Sequence, residues 1–132
     1  MKIGAPKEII EGENRVAMTP ASARDLQKLG YECVIETGAG EKAGFSDATY
    51  KEAGVEVVKT AAALFKAADI VAKVRVPTEA EVKRLREGQT LISFFNPGAN
   101  AALMELAASK GANVIAMEIG RASCRGRVCQ YV

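Results

Sequence analysis

Charged side chains gather in two short loops of this chain. Lys7, Glu8, Glu13, Asn14 and Arg15 lie in the polar stretch that follows residues 2–5, and Lys73 and Arg75 flank the end of the apolar run Asp69-Ile70-Val71-Ala72. An arginine in such a loop can grip a carboxylate through two parallel N–H···O bonds, or it can simply face water. An ammonium at the end of a strand buried on both faces must snorkel, pair or open onto a cleft. If the two segments meet, Arg15 and Lys73 could hold one small carboxylate or polarise a carbonyl, with Arg75 sharing the role. The plainer alternative is a solvated loop and a strand-edge lysine that reaches solvent. Asn96, after the apolar run Leu91-Ile92-Ser93-Phe94-Phe95, could bond a ligand or could only make the turn before Pro97.

Other chemistry is excluded by composition. The chain has no histidine, which removes every mechanism that needs an imidazole base or ligand within this segment. No nucleophile–base set, close acid pair or metal-ligand set stands out, so no catalytic and no metal-binding residue is assigned. Gly38-Ala39-Gly40-Glu41-Lys42-Ala43 matches the dinucleotide spacing Gly-x-Gly-x-x-Gly or Ala. Three features oppose that use. Ser46 caps the next helix beyond the motif, whereas a phosphate site needs the helix to start within the glycines. Glu41 and Lys42 occupy the turn a pyrophosphate would approach. The next strand ends Val57-Val58-Lys59, with no acid to hold a ribose. A glycine-rich turn is the competing reading, and no cofactor-binding residue is assigned in this segment.

These loops need a frame, and 132 residues with 48% apolar and 26% charged side chains suffice for one folded domain. No apolar run reaches membrane-spanning length, and residues 1–6 do not read as a signal peptide. Strand signals fall at 2–5, 31–36, 55–58, 69–74, 90–95 and 113–118. Between them lie helix signals at 21–29, 46–53, 61–68, 79–86 and 101–110. Thr19-Pro20, Ser46, Thr60, Thr78 with Glu81, and Asn100 supply the starts, and Gly30, Gly54, Gly88 and Gly111 the stops. Strict alternation of this kind demands parallel strands and right-handed crossovers. The expected fold is α/β: an open, mostly parallel sheet with helices on both faces, Rossmann-like or flavodoxin-like. Residues 69–74 and 90–95 read as strands buried on both sides. Ligands of such sheets sit beyond the carboxyl ends of the strands, where the two charged loops fall. Cys33 reads as a small buried residue, and cysteine usage points to a reducing compartment.

Residues 120–132 break the pattern. They hold three arginines, no acid, and Cys124 and Cys129. Without them the chain has 15 basic against 16 acidic side chains instead of its net +2. They read either as a basic tail for an anionic partner or as a non-native, aberrant end. The domain is accordingly placed at 1–119. The near-neutral charge of that part argues against nucleic acid as a partner.

Pro6-Lys7-Glu8 and Glu13-Asn14-Arg15-Val16-Ala17-Met18-Thr19-Pro20 closely resemble the opening of the alanine dehydrogenase and pyridine nucleotide transhydrogenase family. Glu36-x-Gly38-Ala39-Gly40, Phe45-Ser46-Asp47, Val71-Ala72-Lys73-Val74 with Pro77, and Asn113–Glu118 extend the likeness across residues 1–119. The resemblance implies the first part of a two-domain oxidoreductase whose nucleotide-binding domain lies downstream. It also implies that the Gly38–Gly40 loop is not the cofactor fingerprint. Alanine dehydrogenases in the family hold pyruvate or alanine with an Arg and a Lys, which fall on Arg15 and Lys73, and use a His after the fifth strand. Phe95-Asn96-Pro97-Gly98 offers no such acid–base group. The transhydrogenase branch agrees better, because direct hydride transfer between NADH and NADP⁺ needs none. That branch implies NAD(H) and NADP(H) in the intact enzyme, with none tightly bound to this piece, which would be inactive alone. Its partners would be the NAD-binding domain, an NADP-binding domain and a membrane subunit that passes protons, in a homodimer. It would be a cytoplasmic part of a complex attached to the bacterial inner membrane. An alanine dehydrogenase fragment and a non-catalytic small-anion-binding or interaction module are the alternatives. After residue 119 the chain departs from the transhydrogenase pattern, so no nicotinamide-contacting role is carried over to Arg121 or Arg125.

Overall fold

A computed structural model describes residues 1–118; the reading of 120–132 as an aberrant tail lies outside them. Six strands alternate with five α-helices: β1 (Lys2–Ala5), α1 (Pro20–Lys28), β2 (Glu32–Glu36), α2 (Asp47–Glu52), β3 (Glu56–Val58), α3 (Ala61–Ala67), β4 (Ile70–Ala72), α4 (Glu79–Lys83), β5 (Thr90–Ser93), α5 (Ala101–Ser109) and β6 (Asn113–Ala116). A single 3-10 turn, Glu41–Ala43, interrupts the glycine-rich loop. The strand order is β3-β2-β1-β4-β5-β6, and every pairing is parallel.

Local chemistry starts the helices where the sequence places them. The Thr19 hydroxyl accepts from the Ser22 amide with Pro20 in the first turn, and Thr78 and Glu81 form a reciprocal capping box. Ser46 and Thr60 cap α2 and α3 in the same way. Two expectations are corrected here. Asn100 does not cap α5 with its side chain; its amide donates instead to the carbonyls of Phe95 and Asn96. Helix α4 stops at Lys83 rather than Arg86, and the Arg86 guanidinium donates to the Ala68 carbonyl.

The sheet separates two cores. Ile3, Ala5, Cys33 and Ile35 pack under α1 and α2 with Ala23, Tyr50 and Ala53. Val34, Val71, Leu91 and Phe95 pack under α3, α4 and α5 with Leu64, Phe65, Val82 and Met104. At Gly4 a Cβ would lie 2.8 Å from the Ala68 Cβ, so the absence of a side chain lets the end of α3 approach β1.

Among the described residues, helices cover both faces over β1–β3 only. The expectation that residues 69–74 and 90–95 are buried on both sides is therefore corrected. Val71 and Leu91 are buried, but Ile70, Ala72 and Ile92 on the other face are only partly so. On that face Phe94, Ile115 and Met117 are 47%, 50% and 52% exposed. The cause is topological. Strands β4, β5 and β6 are added in one direction, and right-handed crossovers then put α3, α4 and α5 on a single face.

Candidate functional site

The loops after β1 and β4 meet beyond the carboxyl ends of the strands, and carboxylates join them. Glu8, from the first loop, is buried. Its Oε1 accepts from the Val74 amide at 2.6 Å, and its Oε2 accepts from Lys73 Nζ at 3.1 Å and the Arg75 amide at 3.4 Å. Lys73 Nζ also lies 3.3 Å from Glu81 Oε1, and the second oxygen of Glu81 accepts from the Thr78 amide at 2.8 Å. One ammonium, 1% exposed, is thus held between two buried carboxylates. A buried charge is tolerated only with such partners.

Glu13 forms the second node. Its buried carboxylate accepts from the Arg15 amide, Nε and Nη2, each at 2.9 Å, and from Arg75 Nε at 2.7 Å. The side-chain hydrogen bonds from Arg15, then that residue's amide, hold the Glu13 carboxyl far below the usual carboxylate range; partial desolvation opposes them. The Glu13 partner in turn raises the Arg15 guanidinium. Both arginine side chains stay more than half exposed above this buried carboxylate.

Beside this node is a hollow of about 420 Å³ on the open face of the sheet, lined by Arg15, Val16, Ala17, Ala72, Lys73, Val74, Ile92, Phe94 and Met117. Arg15 and Lys73 therefore border one hollow. They do not present two cations to it. Strand alternation sends the Lys73 side chain to the face of α4, where Glu8 and Glu81 take its charge. The cation that joins Arg15 is Arg75, through their common partner Glu13. The backbone of Asn96 is left-handed (φ 48°), and its amide donates to the Glu118 carboxylate.

Sequence reasoning did not single out Glu81 beyond its capping role, and it treated Glu8 and Glu13 only as members of a charged loop. A partial signal was present: an ammonium at the end of a buried strand must snorkel, pair or open onto a cleft, and pairing calls for acids nearby. One of those acids, Glu8, lies 65 residues from Lys73 in the chain.

The glycine-rich loop does not fit a dinucleotide. Its amides are spent internally: Gly38 donates to Asp47 Oδ1, Ala39 to the Glu36 carbonyl, Glu41 to the Gly38 carbonyl. A Cβ on Gly40 would lie 2.5 Å from the Tyr50 ring, so this glycine makes room for the protein's own aromatic side chain. The Tyr50 hydroxyl donates to the Met18 carbonyl at 2.7 Å, and burial, then the charge of Asp47, pushes its pKa up to about 12. Among the described residues no group of three His, Cys, Asp or Glu could hold a metal ion, and no helix is long and apolar enough to cross a membrane.

The sequence matches the family described as alanine dehydrogenase/PNT, N-terminal domain, over residues 4–130. The chain belongs to this family. As an alanine dehydrogenase/PNT N-terminal domain it is 70% identical over 119 residues to the NAD(P) transhydrogenase subunit alpha of Cereibacter sphaeroides, covering 90% of this chain and 23% of that protein. It is 39% identical over 118 residues to the alanine dehydrogenase of Mycolicibacterium smegmatis, covering 89% of this chain and 32% of that protein. The crystal structure of transhydrogenase from Sinorhizobium meliloti superposes with a TM-score of 0.84 at 34% identity, over 89% of this chain and 35% of the other. An L-alanine dehydrogenase structure gives 0.83 at 38% identity, over 88% and 32%. The domain thus spans about a quarter to a third of the relatives it matches.

Proposed function

We propose that this domain is the N-terminal part of the alpha subunit of a proton-translocating NAD(P) transhydrogenase. In the intact enzyme, hydride would pass between NADH and NADP⁺ and be coupled to proton translocation. NAD(H) would be held with a downstream nucleotide-binding domain. An NADP(H) domain and a membrane subunit at the bacterial inner membrane would complete a dimeric complex. The observation that carries this reading is the 70% identity to a transhydrogenase subunit alpha along 90% of the chain. The glycine loop is closed by its own hydrogen bonds and by Tyr50, which favours a cofactor site built elsewhere. The domain would contribute one wall of the cleft: the hollow on the open sheet face, with Arg15 and Lys73 on its border and Arg75 beside Arg15. Direct hydride transfer needs no protein acid–base group at the substrate, in keeping with Asn96 where alanine dehydrogenases are expected to carry histidine.

A chimera tests this. Residues 1–118 replace the matching segment of the Cereibacter sphaeroides subunit, assembled with its partner subunits. Transhydrogenation near the parental rate is expected. An assembled chimera that binds NADH but transfers no hydride to NADP⁺, or that oxidises alanine instead, overturns the assignment. The 132-residue chain alone is expected to show no saturable change in NADH fluorescence, and tight binding would refute the claim that the cofactor site lies elsewhere.

A further inference from the structure

We propose that Glu8 is a positioning residue for the arginine pair at the hollow. This rests on the reading above, that the hollow forms part of the reaction cleft. Arg75 is held at both ends by the loop after β1: its amide by Glu8 and its Nε by Glu13. Glu13 in turn holds Arg15. Glu8 therefore sets the path of residues 74–75 and, with it, where the Arg75 guanidinium meets Glu13.

The chemistry suits a fixed bracket. Three donors converge on the Glu8 carboxylate, namely Lys73 Nζ and the amides of Val74 and Arg75. Glu81 engages the same ammonium and the Thr78 amide, so the loop from Lys73 to Thr78 folds around two carboxylates and one ammonium. All three side chains are nearly inaccessible to solvent, so the bracket cannot itself touch a ligand and acts through Arg75 and Arg15. The bond from the Val74 amide, at 2.6 Å, is the short one and fixes the Glu8 carboxylate most firmly. Glutamine in place of Glu8 keeps the shape but brings an NH₂ group against donors that need an acceptor. Aspartate keeps the charge but falls one methylene short of the bridge. Loss of the Glu8 charge leaves Lys73 paired with Glu81 alone, a neutral pair that remains compatible with burial.

The experiment compares Glu8→Gln and Glu8→Asp with Val55→Ala, a truncation in the core under α2, away from the hollow. The first readout is hydrogen exchange at Arg75 Nε, followed by NMR in the 132-residue chain. The second is the division between KM and kcat for NADH in the transhydrogenase chimera. For both Glu8 variants, exchange at Arg75 Nε should quicken about tenfold, as the shifted backbone misaligns its charge-assisted bond to Glu13. The KM should rise by a similar factor while kcat stays within about threefold. Val55→Ala should move neither. Unchanged exchange and KM in both Glu8 variants, or equal changes in Val55→Ala, overturn the proposal. If the unsubstituted chimera is inactive, the transhydrogenase reading fails and the exchange arm still decides the role of Glu8. Should Glu8→Gln not fold, Glu8→Asp decides it.

Discussion

Phe94 and Phe95 are neighbours in the chain and differ in almost everything else. Phe95 is fully buried among residues that include Val71, Leu91 and Met104, whereas Phe94, on the opposite face, is half exposed at the rim of the hollow. The same contrast runs along the open face itself. Over β1–β3 it lies under α1 and α2, with Ile35 and Tyr50 fully buried; over β4–β6 it carries Ile92, Ile115 and Met117, with no helix of the described residues above them. Apolar character is similar in the two halves. What differs is the direction in which strands are added, because the handedness of the crossover decides which face receives the helix. An apolar side chain in a parallel strand therefore does not by itself imply burial.

The contrast can be broken most forcefully at the phenylalanines. Phe95→Ala should cost about 3–5 kcal/mol in urea unfolding, as large-to-small changes in packed cores do, while Phe94→Ala should stay within about 0.5 kcal/mol. Equal losses would mean that the exposed face is not exposed in solution. A smaller effect is expected at Tyr50, under α2. Tyr50→Phe removes the bond to the Met18 carbonyl and should cost about 1–2 kcal/mol by the same measurement.

Acid should next act on the site more than on the covered half. The Glu13 carboxyl titrates lower in the folded chain than its ordinary value of 4.5. Its stabilising contribution is thus complete above that value and is lost as pH falls below it. Glu13→Gln should flatten the fall in stability below pH 4.5, measured as urea midpoint against pH. An unchanged slope would remove Glu13 from the account. The smallest effect is expected at the edge of the open face, where Ile115→Lys should alter stability by less than about 0.5 kcal/mol yet reduce binding of an apolar dye.

Sequence legibility follows the range of the interactions. Helix starts at Thr19, Ser46, Thr60 and Thr78 were readable because a cap and its amide lie three residues apart. The all-parallel sheet was readable because alternation leaves few topologies. The cage around Lys73 was not, since Glu8 and Lys73 meet only after β1 and β4 have paired. That Arg75 could share a site with Arg15 was readable; that buried Glu13 would join them was not. Both are ordinary charged loop residues until Glu13 lies buried between them. The end of α4 escaped for a local reason: Arg84, Leu85 and Arg86 suit a helix, but tertiary packing of Leu85 and the bond from Arg86 to the Ala68 carbonyl claim them first.

Tyr50 carries a last consequence. Its ring fills the room left at position 40, and its hydroxyl anchors the segment that leads into α1. A glycine signature that looks like a socket for a foreign molecule is here a keyway cut for an internal bolt. Opening that loop to a nucleotide would first require drawing the bolt, and with it the joint between the first two strand–helix units.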